Sequence, residues 1–511
     1  MNIKQAKQEI ANTLKAYLTR DELGNYLIPA IRQRPVLLMG PPGIGKTQIM
    51  EQIAAEEGVG LVAYTITHHT RQSAIGLPFI EKRTYGGKEY SITEYTMSEI
   101  LASVYQLMER TGLKEGILFL DEINCVSETL APMMLQFLQC KTFGNQRLPE
   151  GWLIVAAGNP PEYNKSVRDF DVVTLDRVKR MDVTEDFAVW KEYARRKGIH
   201  GAVISYLDIK KDNFYRIETT VDGLQFATAR GWEDLSELII AYEKLGLRVD
   251  REVVGQYIQL PRIAKDFANY LELYYKYQRT YHVDDIVKGT WQNITMLELR
   301  EAPFDEKLSV MGLLLSRLSE SARAVRQQDA LTTALHTALL DFKAKTADGA
   351  EPQAVLGQLI WQRQEKLRQA KEAGSLEKET RDLGMWEVNT LEDYRQQLAK
   401  EDVTDPAEAM ETVRGWFGGE VEKRKTLGAD TGAMFDNTFR FLEQTFGQDQ
   451  ELVLFVTEVT AGYDTSWFVE NFGCDAYFRH NKELLFDDTR HRIRESIAAA
   501  KAAELEERSH E

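Results

Sequence analysis

The segment Gly40-Pro41-Pro42-Gly43-Ile44-Gly45-Lys46-Thr47 constrains this chain more than any other feature. It follows the apolar run Val36-Leu37-Leu38-Met39 and precedes a helical pattern over Gln48–Glu57. Together these satisfy G-x-x-x-x-G-K-[ST] in its strand–loop–helix context. Glycines let backbone N–H groups turn inward around phosphates, and the lysine sets a positive charge on the β and γ groups. The threonine offers a hydroxyl to Mg2+. The dipole of the following helix adds to the attraction. All eight residues are therefore candidate nucleotide contacts.

Around the loop, from Arg34 to about Val183, short apolar strands alternate with longer helical patterns, which implies parallel strands joined by crossover helices. Strands are predicted at Pro35–Met39, Leu61–Ile66, Ile117–Leu120, Trp152–Ala157 and Arg180–Val183. An entry helix is predicted over Gln5–Leu23, with Ile10, Leu14, Tyr17 and Leu18 on one face. The strand Gly116-Ile117-Leu118-Phe119-Leu120 ends in Asp121-Glu122, two carboxylates at the edge where an open parallel sheet binds its ligands. Asp121 is expected to hold Mg2+, and Glu122 to orient or deprotonate the attacking water. The next strand delivers Asn159 to the same edge, where its amide can bridge water and γ-phosphate. An Asn before Pro160-Pro161 is also a common turn former.

A chain of 511 residues with 43% hydrophobic content can bury a large core and should divide into about three units, with boundaries expected at 1–183, 184–346 and 347–511. The formal charge of -16, from 79 acidic against 63 basic residues, argues against a polyanion-binding surface, so nucleic acid is not the expected partner. Cys125, Cys140 and Cys474 are isolated and form no metal or redox pair. The residues after Met1 lack the apolar core of a secretion signal, and no run approaches a spanning helix, so a soluble cytoplasmic protein without membrane insertion is expected. His68-His69 has no third ligand nearby in sequence and reads as structural.

Beyond Thr184 the strand pattern stops, and amphipathic helices such as Trp232–Leu245 and Ile263–Tyr277 predict an all-helical domain to about Thr346. Ala347–Pro352 reads as a linker, and Gln362–Lys400 as a long solvated helix or helical hairpin. From Asp405 to Phe486 dense aromatics predict a third packed unit, their burial being favoured over a docking surface. A surface helix that frays is expected over Asp488–Glu511.

Lys46/Thr47, Asp121/Glu122 and Asn159, on strands in this order, resemble the Walker A, Walker B and sensor-1 residues of AAA+ ATPases. The resemblance spans roughly Pro35 to Leu245. It implies an α/β core with a five-stranded parallel sheet, followed by a helical lid and a helical C-terminal region. By the same resemblance, Arg177 in Leu175-Asp176-Arg177-Val178 looks like the finger inserted into a neighbour's site, with Arg180 as runner-up. Arg230, opening a helix after Ala229, looks like sensor 2. The residues between the second strand and Asp121, including Ile75–Ile80 and Tyr85–Tyr90, read as a hairpin inserted into the second helix. That insert, the Gly158-Asn159-Pro160 turn and the Leu-Asp-Arg-Val segment are similar to the MoxR group. MoxR proteins usually carry Phe after the finger and a Pro-Arg pair at sensor 2, whereas this chain has Val178 and Ala229-Arg230. The resemblance implies an ATP- and Mg2+-dependent hexameric remodeller, often acting on partners with a von Willebrand factor A domain. A nucleic-acid motor and a nucleotide-gated scaffold are the competing readings.

Overall fold

A computed structural model describes residues 1–68, 72, 74, 76–143, 146–163, 170–220, 223–347 and 349–482. His69, Ile75 and the tail expected to fray over 488–511 lie outside the described residues. The chain forms two compact units, neither continuous in sequence. One comprises 1–189, 228–230 and 341–409; the other comprises 190–227, 231–340 and 410–511.

The first unit is built on a parallel sheet. Its strands are β1 (Val36–Met39), β2 (Gly60–Thr65), β5 (Gly116–Asp121), β8 (Trp152–Gly158) and β9 (Lys179–Asp182), in the order β2-β5-β8-β1-β9. All five predicted strands are present, each end within a residue of expectation. Alternation along each strand divides the core in two. Leu37, Leu118, Leu120, Ile154 and Ala156 join one apolar cluster, while Val36, Leu38, Ile117, Phe119, Leu153 and Val155 join the other. A sheet covered on both faces is why these strands read as continuous apolar runs instead of alternating ones.

On the first face sit the helices Glu99–Thr111 and Ala131–Cys140, burying Ile100, Leu101, Val104, Phe137 and Leu138. On the second sit Ile3–Leu18 and Lys46–Glu57, burying Ile10, Leu14, Ile49, Met50 and Ile53. The entry helix stops at Leu18, five residues short of the predicted end.

Between β2 and the helix Glu99–Thr111 stands the expected hairpin, β3 (Pro78–Tyr85) against β4 (Lys88–Tyr95). Its two-residue turn, Gly86-Gly87, has both residues at positive φ (58° and 80°), the geometry of a tight hairpin turn that glycine adopts without strain. A second, shorter hairpin joins β6 (Thr142–Phe143) to β7 (Gln146–Arg147).

Helices also predominate after Thr184, with one exception to the expected all-helical pattern among the described residues. In the second unit β10 (Arg216–Thr220) pairs with β11 (Gly223–Ala227). The alternation Ile217, Thr219 and the Asp222-Gly223 pair are hairpin signals that the flanking helical pattern outweighed in the sequence. Helices Pro352–Glu372 and Lys378–Lys400 form the anticipated helical hairpin, tied by Arg363 Nε to Glu387 at 2.9 Å. In the aromatic-rich stretch Phe435, Phe439, Phe441 and Phe468 are fully buried, so core packing prevails there. Among the described residues no helix is long and apolar enough to cross a membrane.

Candidate functional site

A parallel sheet brings the C-terminal ends of β1, β5 and β8 to one edge, so whatever follows those strands is gathered there. After β1 the chain runs through Gly43 and Gly45, both at positive φ (74° and 91°), into the helix that opens at Lys46. Lys46 is 8% exposed. Its amine donates to Gly40 O, Pro41 O and Asn159 Oδ1, each at 2.8 Å, which engages all three of its protons. Burial pushes its pKa down from 10.5 to about 8, a shift that the charge of Arg230 reinforces and those of Asp121 and Glu122 oppose.

Thr47 Oγ1 donates to Asp121 Oδ2 at 3.2 Å, and Asp121 Oδ1 accepts the backbone N–H of Glu122 at 2.9 Å. Glu122 lies in the left-handed region (φ 57°, ψ 35°). For a residue with a side chain this costs on the order of 1–3 kcal/mol and is found chiefly where surrounding structure imposes it. The turn aims the Glu122 carboxylate at Thr67, whose hydroxyl donates to Oε2 at 2.8 Å.

Residues 35–178 match the AAA domain (dynein-related subfamily). This segment is similar to AAA domains. Among solved structures, similarity extends to a lysine-to-arginine mutant of RuvB from Thermotoga maritima, with 14% identity over 51% of this chain and 70% of that one, at a TM-score of 0.27. It also extends to NtrX from Brucella abortus in complex with ADP, with 16% identity over 47% of this chain and 49% of that one, at a TM-score of 0.26. This chain thus spans about half the length of NtrX. No curated protein matches the sequence.

The matched segment brings Gly40–Thr47, Asp121, Glu122 and Asn159 together, and Arg230 joins them from far along the chain. A Cβ added to Gly43 would lie 3.4 Å from Arg230 Cβ. Arg177 stands outside this cluster. It is exposed and its guanidinium donates to Gln139 Oε1. Arg180 is paired instead with Asp182 at 2.9 Å. His68 lies just past β2, and among the described residues no group of three or more His, Cys, Asp or Glu could hold a metal.

Two residues of this site went unread in the sequence. Thr67 follows β2, whose end shares the edge, and a polar residue just past an apolar strand was the available signal. Asn124, 3% exposed, donates through Nδ2 to Asn159 O at 2.7 Å. It lies against Gly158, where an added Cβ would come within 2.6 Å of Asn124 Oδ1, so only glycine admits it. Asn124 thereby fastens the backbone that presents the Asn159 amide.

Proposed function

We propose that this chain hydrolyses ATP to ADP and phosphate and uses the cycle to remodel or activate a partner protein, as a cytoplasmic member of the MoxR type. The observation that carries the reading is the convergence of Lys46, Thr47, Asp121, Glu122 and Asn159 on one sheet edge, linked by hydrogen bonds of 2.8–3.2 Å. Gly40, Pro41, Pro42, Gly43, Ile44 and Gly45 form the phosphate cradle, and Lys46 supplies its cation.

The hydroxyl of Thr47 and the carboxylate of Asp121 are adjacent hard oxygen donors, a set that suits Mg2+, which typically takes one or two protein ligands and completes its shell with phosphate and water. Bound there, Mg2+ would neutralise charge on the phosphates. Glu122, held by Thr67, orients the attacking water and accepts its proton. Asn159, fastened by Asn124, presents its amide between water and γ-phosphate. Arg230, in the same compact unit as the cluster, senses the same phosphate; we assign the lid to residues 184–346, and residues 347–511 are an extension shared by both compact units.

Within this proposal Arg177 serves a neighbouring subunit in a hexameric ring, because it is exposed and remote from its own cluster. A partner with a von Willebrand factor A domain follows from the MoxR reading. The hairpin β3–β4 speaks against a nucleic-acid motor: Lys82 is paired with Glu89, and Arg83 with Glu81 and Glu94, each at 2.9 Å. Such pairing leaves little net charge for phosphates.

Replacing Glu122 by Gln should preserve ATP binding while steady-state turnover falls at least about tenfold, since a positioned base typically contributes about 100-fold or more. Turnover unchanged in Glu122→Gln would remove this residue from the mechanism. A wild-type protein that binds ATP without turning it over would favour the scaffold reading.

A further inference from the structure

The register of β5 against β8 stops at Leu120 and Ala156, before either strand reaches the residue it contributes to the site. Past that point Glu122 passes through the left-handed region into the short 3-10 turn Ile123–Cys125, and the Cys125 N–H donates back to Glu122 O at 2.9 Å. Asn159 leaves from the end of β8. The side chain of Asn124, in the middle of the turn, crosses the gap between them through its bond to Asn159 O at 2.7 Å. Its whole amide group lies against Gly158: an added Cβ there would meet Oδ1 at 2.6 Å, Cγ at 2.9 Å and Nδ2 at 3.1 Å.

This bridge is made at a cost. Asn124 is almost fully buried, and its Oδ1 has no hydrogen-bond partner among the described residues. Burying an acceptor without a donor is unfavourable, and a leucine of similar size would carry no such acceptor, so packing alone does not call for an amide. Glu122 adds a second cost, because its left-handed backbone persists only where surrounding structure imposes it. Ile123, buried in the apolar cluster on one face of the sheet, holds the turn from the core side. Asn124 holds it from the side of β8.

We infer that Asn124 is a positioning residue that couples Asn159 to Glu122, so that a shift of the amide facing the γ-phosphate is carried into the turn that aims the base. The coupling rests on the ATPase reading above and describes regulation of that same site. Cutting the bridge lets Glu122 relax toward ordinary backbone angles and takes its carboxylate off the attacking water, while the phosphate cradle stays intact.

The test measures ATP turnover, the Kd for fluorescently labelled ADP and thermal unfolding on the full chain. Asn124→Ala should lower kcat at least about tenfold, since small misplacements of a reacting group cost up to about 100-fold. Its Kd for ADP, which lacks the γ-phosphate, should stay within about twofold. Glu122→Gln with Asn124→Ala should turn over no more slowly than Glu122→Gln alone, because residues serving one task are not additive. Gly158→Ala, whose Cβ displaces the Asn124 amide, should lower both kcat and Tm, and the fall in Tm should shrink when Asn124→Ala removes the collision. A kcat within about twofold of wild type in Asn124→Ala overturns the inference. So does an equal loss of kcat and ADP affinity, which marks a merely structural role, or a further fall of tenfold on top of Glu122→Gln. Should Asn124→Ala fail to fold, Asn124→Leu, which fills the space without the bond, decides by the same criteria. A wild-type chain without turnover overturns the ATPase reading and this inference with it, whereas normal wild-type turnover with an undiminished variant overturns this inference alone.

Discussion

Lys46 shows how one side chain can be legible in kind and illegible in state. Its place in the loop announced a cation, but only burial explains why that cation titrates near physiological pH. Below about pH 8 the amine is charged in the fold and carries its desolvation penalty. Between about 8 and 10.5 the unfolded chain binds more protons than the fold, so this group's contribution to stability improves as pH rises across that window. Nucleotide affinity moves the other way, because the free protein loses the charge that phosphates require. The Kd for ATP should weaken by up to about tenfold per pH unit above about 8, and Lys46→Ala should lack that slope. Fluorescence titrations with a labelled ATP across pH 7 to 10 check this; a flat wild-type profile would refute it.

Among the elements, the helix Tyr463–Phe472 of the second unit carries its own anchor. Asp464, 2% exposed, sits in the first turn, where the dipole favours a carboxylate. Arg323 Nε reaches its Oδ2 at 2.8 Å and Arg326 Nε its Oδ1 at 2.9 Å. Removing the anion leaves two guanidinium groups facing each other, one of them 13% exposed. Asp464→Ala should therefore cost about 3–5 kcal/mol in denaturant unfolding. A change within about 0.5 kcal/mol, typical of surface sites, would show that the triad contributes little. The segment Thr460–Phe468 offered aromatics and a lone acid in sequence, and nothing in it named arginines some 140 residues earlier.

At the scale of the whole molecule, the first unit takes in a segment from far downstream. Ala373 O accepts from the backbone N–H of Leu61 at 3.2 Å, so the elbow between helices Pro352–Glu372 and Lys378–Lys400 occupies part of an otherwise open edge at β2. Arg110 adds a bond to Glu372 O at 2.6 Å. The proposed ring belongs to this scale too. If Arg177 acts across a subunit boundary, mixing inactive Arg177→Ala with inactive Glu122→Gln subunits should restore a measurable fraction of turnover. A mixed ring then contains intact sites built from one sound residue of each subunit. Absence of rescue at every mixing ratio would place the finger elsewhere, with Arg180 next to be tested.

The sequence by itself determined the sheet, its covered faces and the phosphate loop. Those follow from local apolar runs and from residue types whose chemistry is specific at fixed spacing. It also placed the hairpin β3–β4, whose Gly-Gly turn is a local signal. Tertiary structure alone decided that Thr67 grips Glu122, that Asn124 fastens Asn159, and that Arg230 lies beside Gly43. It likewise returned residue 373 to the edge of β2. Each of these is a contact between segments distant in the chain, and such contacts depend on how whole elements pack, which no local pattern of residues encodes.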